Sequence, residues 1–460
     1  MAPHPLAEPA LNGLRESLAG DAITPGDTAY DEARTIFNGM IDRRPAVIVQ
    51  CESAADVAAA VRFGREHDLE VAVRGGGHSV AGLATTDGGL VVDLRRMHSV
   101  VVDPVARTAR IGGGATMSHL DRATQPFDLA TTGGRASTTG VGGFTLGGGS
   151  GWLERKFGLA CDNLDAVDLV TAEGAEVHAD DDEHPELFWA LHGGGGNFGV
   201  ATSITLKLHP LPAMSVALLL FPAQRGDEVL PVYREVLESA PDEVGGGFIY
   251  LTGPPEEFVP EHLVGKAAAC VLVTYTGTLP ELREAVAPLL ALGHDAELIT
   301  ELPYADLQCM IDDPPGLRNY WSAEYLARLP EEAMQVFCAR AESMIVPSNS
   351  QHILFPMGGA LERGDSAYPV PWRTASWVSH PFGIWDSPAD DERGRKWVRD
   401  AREDVVPWSI GLVYLNFIGL EGPERIVAGF GAENYRRLEA VKAQYDPDNV
   451  FRLNHNIKPR

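Results

Sequence analysis

The sequence predicts an α+β protein in two parts: a glycine-rich part, and a part built on an antiparallel sheet covered by helices. Three observations predict it. Short apolar runs bounded by turn residues fill roughly the first 210 positions, and three glycine-dense segments interrupt them. After Leu208-His-Pro-Leu-Pro212 the pattern changes to longer strand-like runs separated by amphipathic helical stretches.

The first elements follow from local chemistry. Pro45-Ala-Val-Ile-Val-Gln-Cys51 has the character of a buried strand. Ser53 then caps a helix with Asp56 in its first turn and apolar residues at helical spacing through Val61. Val71-Ala-Val73 and Gly89 to Leu94 are further strands, which makes a β-α-β unit followed by glycines. Hairpins are expected across Val100–Gly112, turning at Asp103 to Arg107, and across Leu164–Ala179, turning at Ala172-Glu-Gly174. Beyond the paired prolines, Val216–Phe221 and Cys270–Tyr275 read as strands, Pro280–Leu292 and Pro330–Ile345 as helices.

Composition narrows the partners. Lys+Arg 37 against Asp+Glu 64 gives 37 − 64 = −27, a charge that repels nucleic acid and anionic membrane surfaces. The five cysteines are scattered, with no C-x-x-C pair, so neither a disulfide framework nor a metal site is expected. The opening Met1 to Pro9 lacks the basic and apolar regions of a secretory signal, and no apolar run approaches the ~20 residues of a membrane span. A cytoplasmic protein is the expectation.

The glycine segments carry the chemistry. Arg74-Gly75-Gly76-Gly77-His78-Ser79 follows a strand directly, and its glycines let the backbone turn tightly and offer N–H groups to an anion. The second segment runs from Thr131 to Gly151, the third from Gly193 to Gly199. Together they suggest a large, phosphate-bearing cofactor lying along main chain. Gly194, Gly196 and Gly199 formally spell G-x-G-x-x-G, but Val200 to Leu206 is a strand pattern where a dinucleotide fold needs a helix.

These segments, in this order, resemble the FAD-linked oxidases of the vanillyl-alcohol oxidase / p-cresol methylhydroxylase (PCMH) superfamily. The sequence is most similar to the berberine-bridge-enzyme-like group of the bacterial 6-hydroxy-D-nicotine oxidase type. The resemblance rests on Arg74 to Ser79, Thr138-Thr-Gly-Val-Gly-Gly143, Gly147 to Leu153, Lys156 to Asn163, Gly193 to Val200, Tyr414-Leu-Asn-Phe417 and Tyr445 to Ile457. It implies a PCMH-type FAD-binding domain of residues 1–210 with 425–460, and an inserted substrate-binding domain of 211–424.

By the same resemblance FAD is bonded through its 8α-methyl carbon to His78. The cofactor contacts it implies are Arg74, Gly75, Gly76, Gly77, Ser79, Thr138, Thr139, Gly140, Gly142, Gly143, Gly199, Val200 and Asn454. Ala136 stands where many relatives place a cysteine that adds a second flavin bond, so a single attachment is implied. Cys161 belongs to a different segment and reads as a small buried hydrophobe. Tyr414 matches the tyrosine that lies beside the flavin in several relatives and is the candidate base. A tyrosine near its ordinary value of about 10 needs a stabiliser, such as a nearby cation, to act at neutral pH. In a strand Tyr414 and Asn416 would share one face, which makes Asn416 its catalytic companion. Relatives also draw substrate-side residues from the region of Glu362, Tyr368 and Arg373, where Trp372 here replaces a histidine.

The implied activity is an oxidase. It moves a hydride from a small organic alcohol or amine to FAD and reduces O2 to H2O2. Two alternatives stand beside it: an FAD-dependent dehydrogenase with another electron acceptor, and a non-catalytic flavin-binding protein. Thr139 precedes Gly140-Val-Gly-Gly143, a position where in plant relatives a bulky aliphatic side chain favours dehydrogenases and a smaller one oxidases, and threonine is only about as large as valine.

Overall fold

The computed structural model describes residues 6–212 and 214–460; Met1 to Pro5 of the opening segment lie outside the described residues. Strands β1 (Asp21–Ile23), β2 (Val47–Gln50), β3 (Val71–Arg74) and β4 (Leu90–Asp93) make one sheet in the order β1-β2-β4-β3. The helix Ala54–Glu66 connects β2 to β3, and the Ser53 hydroxyl accepts the Asp56 N–H at its start. Both β2 and β3 run parallel to β4, so β4 lies between the two strands that the helix connects. Register places Arg74 opposite Asp93, and the two form a buried ion pair of 2.8 Å.

A second, antiparallel sheet contains both expected hairpins. β5 (Val100–Asp103) pairs with β6 (Thr108–Gly112), and β8 (Leu164–Val170) with β9 (Glu176–Ala179). Between them runs β10 (Val200–Lys207), giving the order β5-β6-β10-β8-β9. The third glycine segment therefore feeds a strand, as its sequence predicts. A small pair, β7 (Leu129–Ala130) and β11 (His209–Pro210), closes this part next to the double-proline boundary.

The second part is one antiparallel sheet of β12 (Ser215–Pro222), β13 (Val244–Thr252), β14 (Ala267–Tyr275), β15 (Ala296–Glu301), β16 (Arg318–Trp321), β17 (Glu324–Leu326), β18 (Gln351–Pro356) and β19 (Trp377–Trp385). Its order is β15-β12-β14-β13-β18-β19-β16, with β17 also on β19. Alternation decides what each face meets. Phe248, Tyr250, Val271 and Leu354 join the core formed with the helices Gly226–Ser239, Glu331–Ala341 and Asp391–Val405. Ile249, Cys270, Ile353 and Phe355 point the other way, into the core shared with the glycine-rich part.

The tail then returns to the first part. Lys442, in the helix Ala432–Tyr445, is fully buried, and its Nζ donates to the carbonyls of Asn197 and Phe451 and to Asp446. Asn197 in turn donates to the His455 carbonyl and accepts the Ile457 N–H. No described helix is long and apolar enough to cross a membrane.

Candidate active site

All three glycine segments open onto one cavity of about 360 Å³ between the glycine-rich part and the sheet of β12 to β19. The reason for glycine is a close approach of main chain. A Cβ on Gly76 would stand 2.4 Å from the Gly140 nitrogen, and a Cβ on Gly140 would meet Gly76 nitrogen at the same distance. The first two segments thus touch backbone to backbone, and this contact brings His78 beside Thr138.

The His78 ring is fixed on two sides. Nε2 lies 2.7 Å from the Thr138 hydroxyl, and the imidazole stacks on Phe37 with centroids 4.0 Å apart. Burial pulls His78 down to about 4, so the ring is neutral at pH 7. When Nε2–H donates to Thr138, the Nδ1 lone pair is free, the state a nucleophile requires.

Tyr414 is also buried, and its hydroxyl oxygen accepts two N–H groups: the Gly149 amide at 3.0 Å and Asn416 Nδ2 at 2.9 Å. Gly149 can present its amide there because it adopts φ +87, a conformation open to glycine. Burial pushes the Tyr414 phenol above its ordinary value, and these donors pull it part of the way back. Among the described residues no arginine or lysine hydrogen-bonds this hydroxyl, so the stabiliser is a pair of dipoles and not a cation. The Tyr414–Phe417 segment is not a strand. Tyr414 is extended and Leu415–Phe417 is a single 3₁₀ turn, yet Asn416 still reaches back to the phenol. Trp372 backs Tyr414 with ring centroids 4.7 Å apart.

Most of the cofactor contacts expected from the resemblance line this cavity: Gly75 to Ser79, Thr139, Gly140, Gly142, Gly143, Gly199 and Asn454, along with Tyr414 and Asn416. Three do not. Arg74 lies behind the wall, where its guanidinium holds Asp93 and joins β3 to β4. Val200, the first residue of β10, is buried in the core. Thr138 acts on the His78 ring instead of on the cavity. Ala136 lines the cavity, while Cys161 is buried outside its lining with its thiol pushed up by burial. Glu362, Tyr368 and Arg373 do not line it either: Arg373 pairs with Asp162 at 2.7 Å and Tyr368 stacks on His192.

Sequence reasoning missed the opposite wall. Trp321, Gln351, Ile353, Phe355 and Phe382 reach the cavity from β16, β18 and β19, and Arg135 from the second glycine segment. Arg135 pairs with buried Glu154 at 3.0 Å and lies over the Phe355 ring at 4.0 Å. Its place amid glycines was the one available signal.

The residues present fit a flavin dinucleotide. Gly143, Gly195 and Gly196 face open space in which a Cβ would meet nothing within 4 Å, leaving bare main chain for a long ligand to lie on. Asn454 donates to the Gly196 and Phe451 carbonyls while its buried Oδ1 has no partner, an acceptor left for a ligand N–H or O–H.

Comparison with known proteins agrees with this geometry. A family model described as FAD binding domain matches residues 45–180, and one described as berberine and berberine like matches 413–458. The chain is 33% identical to (R)-6-hydroxynicotine oxidase of Paenarthrobacter nicotinovorans, over 96% of this chain and 97% of that one. An FAD-linked oxidoreductase of Dictyostelium discoideum is 29% identical over 98% and 97%. The crystal structure of 6-hydroxy-D-nicotine oxidase from Arthrobacter nicotinovorans superposes with a TM-score of 0.85, at 30% identity over 99% of this chain and 100% of that one. A berberine-bridge-enzyme-like protein of Physcomitrella patens shares the fold at a TM-score of 0.85 and 21% identity, over 96% and 97%. Two family models that each contribute cavity-lining residues, and a relative 33% identical over nearly the whole chain, make the chain a member of the berberine-bridge-enzyme-like family of FAD-linked oxidoreductases.

Proposed function

We propose that this FAD-dependent oxidoreductase is an oxidase. It takes a hydride from a small organic alcohol or amine, holds FAD by a single bond to His78, and hands the electrons to O2. The observation that carries the reading is one cavity lined both by neutral, fixed His78 in its glycine wall and by Tyr414, whose hydroxyl accepts two N–H donors. Bound FAD supplies the hydride acceptor. The chain supplies the rest. His78 attaches the cofactor, Ala136 offers no second attachment, and the glycine segments with Asn454 position it.

In its phenolate form Tyr414 takes the proton from the substrate's O–H or N–H. The Gly149 amide and Asn416 aim at its oxygen, where negative charge develops, and offset part of the cost of burial. The relative in Paenarthrobacter nicotinovorans is named for oxidation of a hydroxylated nicotine, which supports a small amine or alcohol substrate. Thr139 in the cavity wall is small enough to leave O2 a path, and this favours the oxidase over a dehydrogenase. In this reading residues 1–210 with 425–460 hold the flavin, and 211–424 hold the substrate. The cytoplasm suits five unpaired thiols.

The test begins with denaturation. Flavin should stay with acid-precipitated polypeptide, and mass analysis should find it on the His78 peptide alone; release of all FAD refutes the attachment. A panel of alcohols, sugars and cyclic amines is then screened for anaerobic bleaching of the flavin. Mixing the reduced enzyme with air-saturated buffer should restore the oxidised spectrum faster than turnover and yield H2O2. Reoxidation over minutes, with quick reoxidation by a quinone, would make the protein a dehydrogenase.

A further inference from the structure

The charges on the cavity wall do not balance. Its ionisable lining residues are His78, Arg135, Asp313, Tyr414 and His455. Both histidines are neutral at pH 7, since burial pulls each to about 4, and Tyr414 keeps its proton. Arg135 is compensated. Its guanidinium donates to the carbonyls of Ser150 and Gly151 and to Glu154; burial raises the Glu154 carboxyl above its ordinary value, and Arg135 with the Gly151 N–H offsets part of that rise. That leaves Asp313. Among the described residues no arginine, lysine or histidine forms an ion pair with it; its partner is the neutral Asn349 amide, at 2.8 Å.

The position of Asp313 is fixed from both sides. Its neighbour Asp312 accepts the Ser137 N–H at 2.7 Å and the Ser137 hydroxyl, which anchors the segment to the glycine wall. Asn349 lies two residues before cavity-lining Gln351, which anchors it to the sheet. Asp313 thus stands where the two walls meet. The same cavity is lined by Trp321 and Phe382 from the sheet and by Phe417 from the 3₁₀ turn, aromatic rings that attract a cation as they do an apolar group.

We propose that Asp313 is the specificity residue of the substrate compartment and selects a small aromatic or cyclic molecule carrying a positive charge, such as a protonated amine. The proposal rests on the reading of this cavity as the oxidase site. Burial and repulsion from Asp312 raise the Asp313 carboxyl above the usual range, and an entering cation relieves both by pairing with its charged form. The net charge of −27 acts in the same sense at long range, drawing cations and repelling anions.

Three probes with one ring separate the cases: benzyltrimethylammonium, benzyl alcohol and benzoate, titrated into the purified holoenzyme. Trp321 in the wall allows binding to be followed by tryptophan fluorescence, and the flavin spectrum gives a second signal. The cation should bind about tenfold more tightly than the alcohol, and benzoate more weakly than either. In Asp313→Asn the cation-to-alcohol ratio should fall to within about threefold of unity, and Asp313→Glu should restore part of it. Preference for benzoate, or a cation preference that survives in Asp313→Asn, overturns the proposal. Loss of all FAD on denaturation, with the cation preference intact, strikes the covalent attachment and leaves this inference standing.

Discussion

One wall of the cavity is main chain; the other is side chain. The glycine wall that carries His78 is formed by backbones that touch, so its shape is set by atoms that every residue carries and by the absence of a Cβ. The second wall is formed by aromatic, aliphatic and polar groups standing on the antiparallel sheet of β16, β18 and β19. A backbone wall admits almost no variation at its contact points. A side-chain wall can change its lining without moving the sheet beneath it. The molecule therefore keeps one cofactor wall and one adjustable wall within a single cavity.

Substitutions can break this contrast. His78→Ala removes the attachment group on the backbone wall, and covalent flavin should vanish entirely from denatured protein; covalent flavin that persists would place the bond elsewhere. Tyr414→Phe should retain flavin but slow its anaerobic reduction by about 10²–10⁴-fold. An unchanged rate with a substrate that must lose a proton would reduce Tyr414 to core packing. The wild-type reduction rate should rise with pH up to the Tyr414 titration, because only the phenolate accepts a proton and burial holds its pKa above the ordinary value.

The last pair compares the walls directly. Gly76→Ala drives a Cβ against the Gly140 backbone nitrogen, and neither chain can yield without moving the loop that carries His78. It should cost about 1–3 kcal/mol in a denaturant titration and leave a fraction of the protein without flavin. Ile353→Val on the sheet wall should cost only about 0.5–1.5 kcal/mol and act on KM more than on flavin content. Equal losses from the two would remove the distinction.

Much of the backbone wall was legible because glycine is legible. A run of glycines after a strand has few purposes, and a histidine inside it has fewer. Hairpins and the Ser53 cap were legible for a similar reason, since turn and cap chemistry is local. Arg74 shows the limit: a cation in such a motif suggests an anion site, but its register partner Asp93, 19 residues away, claims it. The insertion of β4 between β2 and β3 was hidden because strand order leaves no mark on the period of either strand. Tyr414–Phe417 alternates like a strand, but four residues fit a 3₁₀ turn equally well. The sheet wall was hidden for a deeper reason. Alternation along β18 says that Gln351, Ile353 and Phe355 share a face; only the tertiary fold says that the face meets the cavity and not the helices.

The buried Lys442 clasp bears on the order in which the protein is made. The third glycine segment leaves the ribosome more than 200 residues before the groups that pin it, which are Lys442 and the main chain of His455 and Ile457. Until that segment emerges, Asn197 has no lysine to hold its carbonyl and no amide for its side chain. The nascent chain can complete its first sheets early, but it cannot complete the cofactor's seat. Flavin loading therefore waits for the segment 442–457, and ribosome-bound chains stalled near residue 440 should emerge without it.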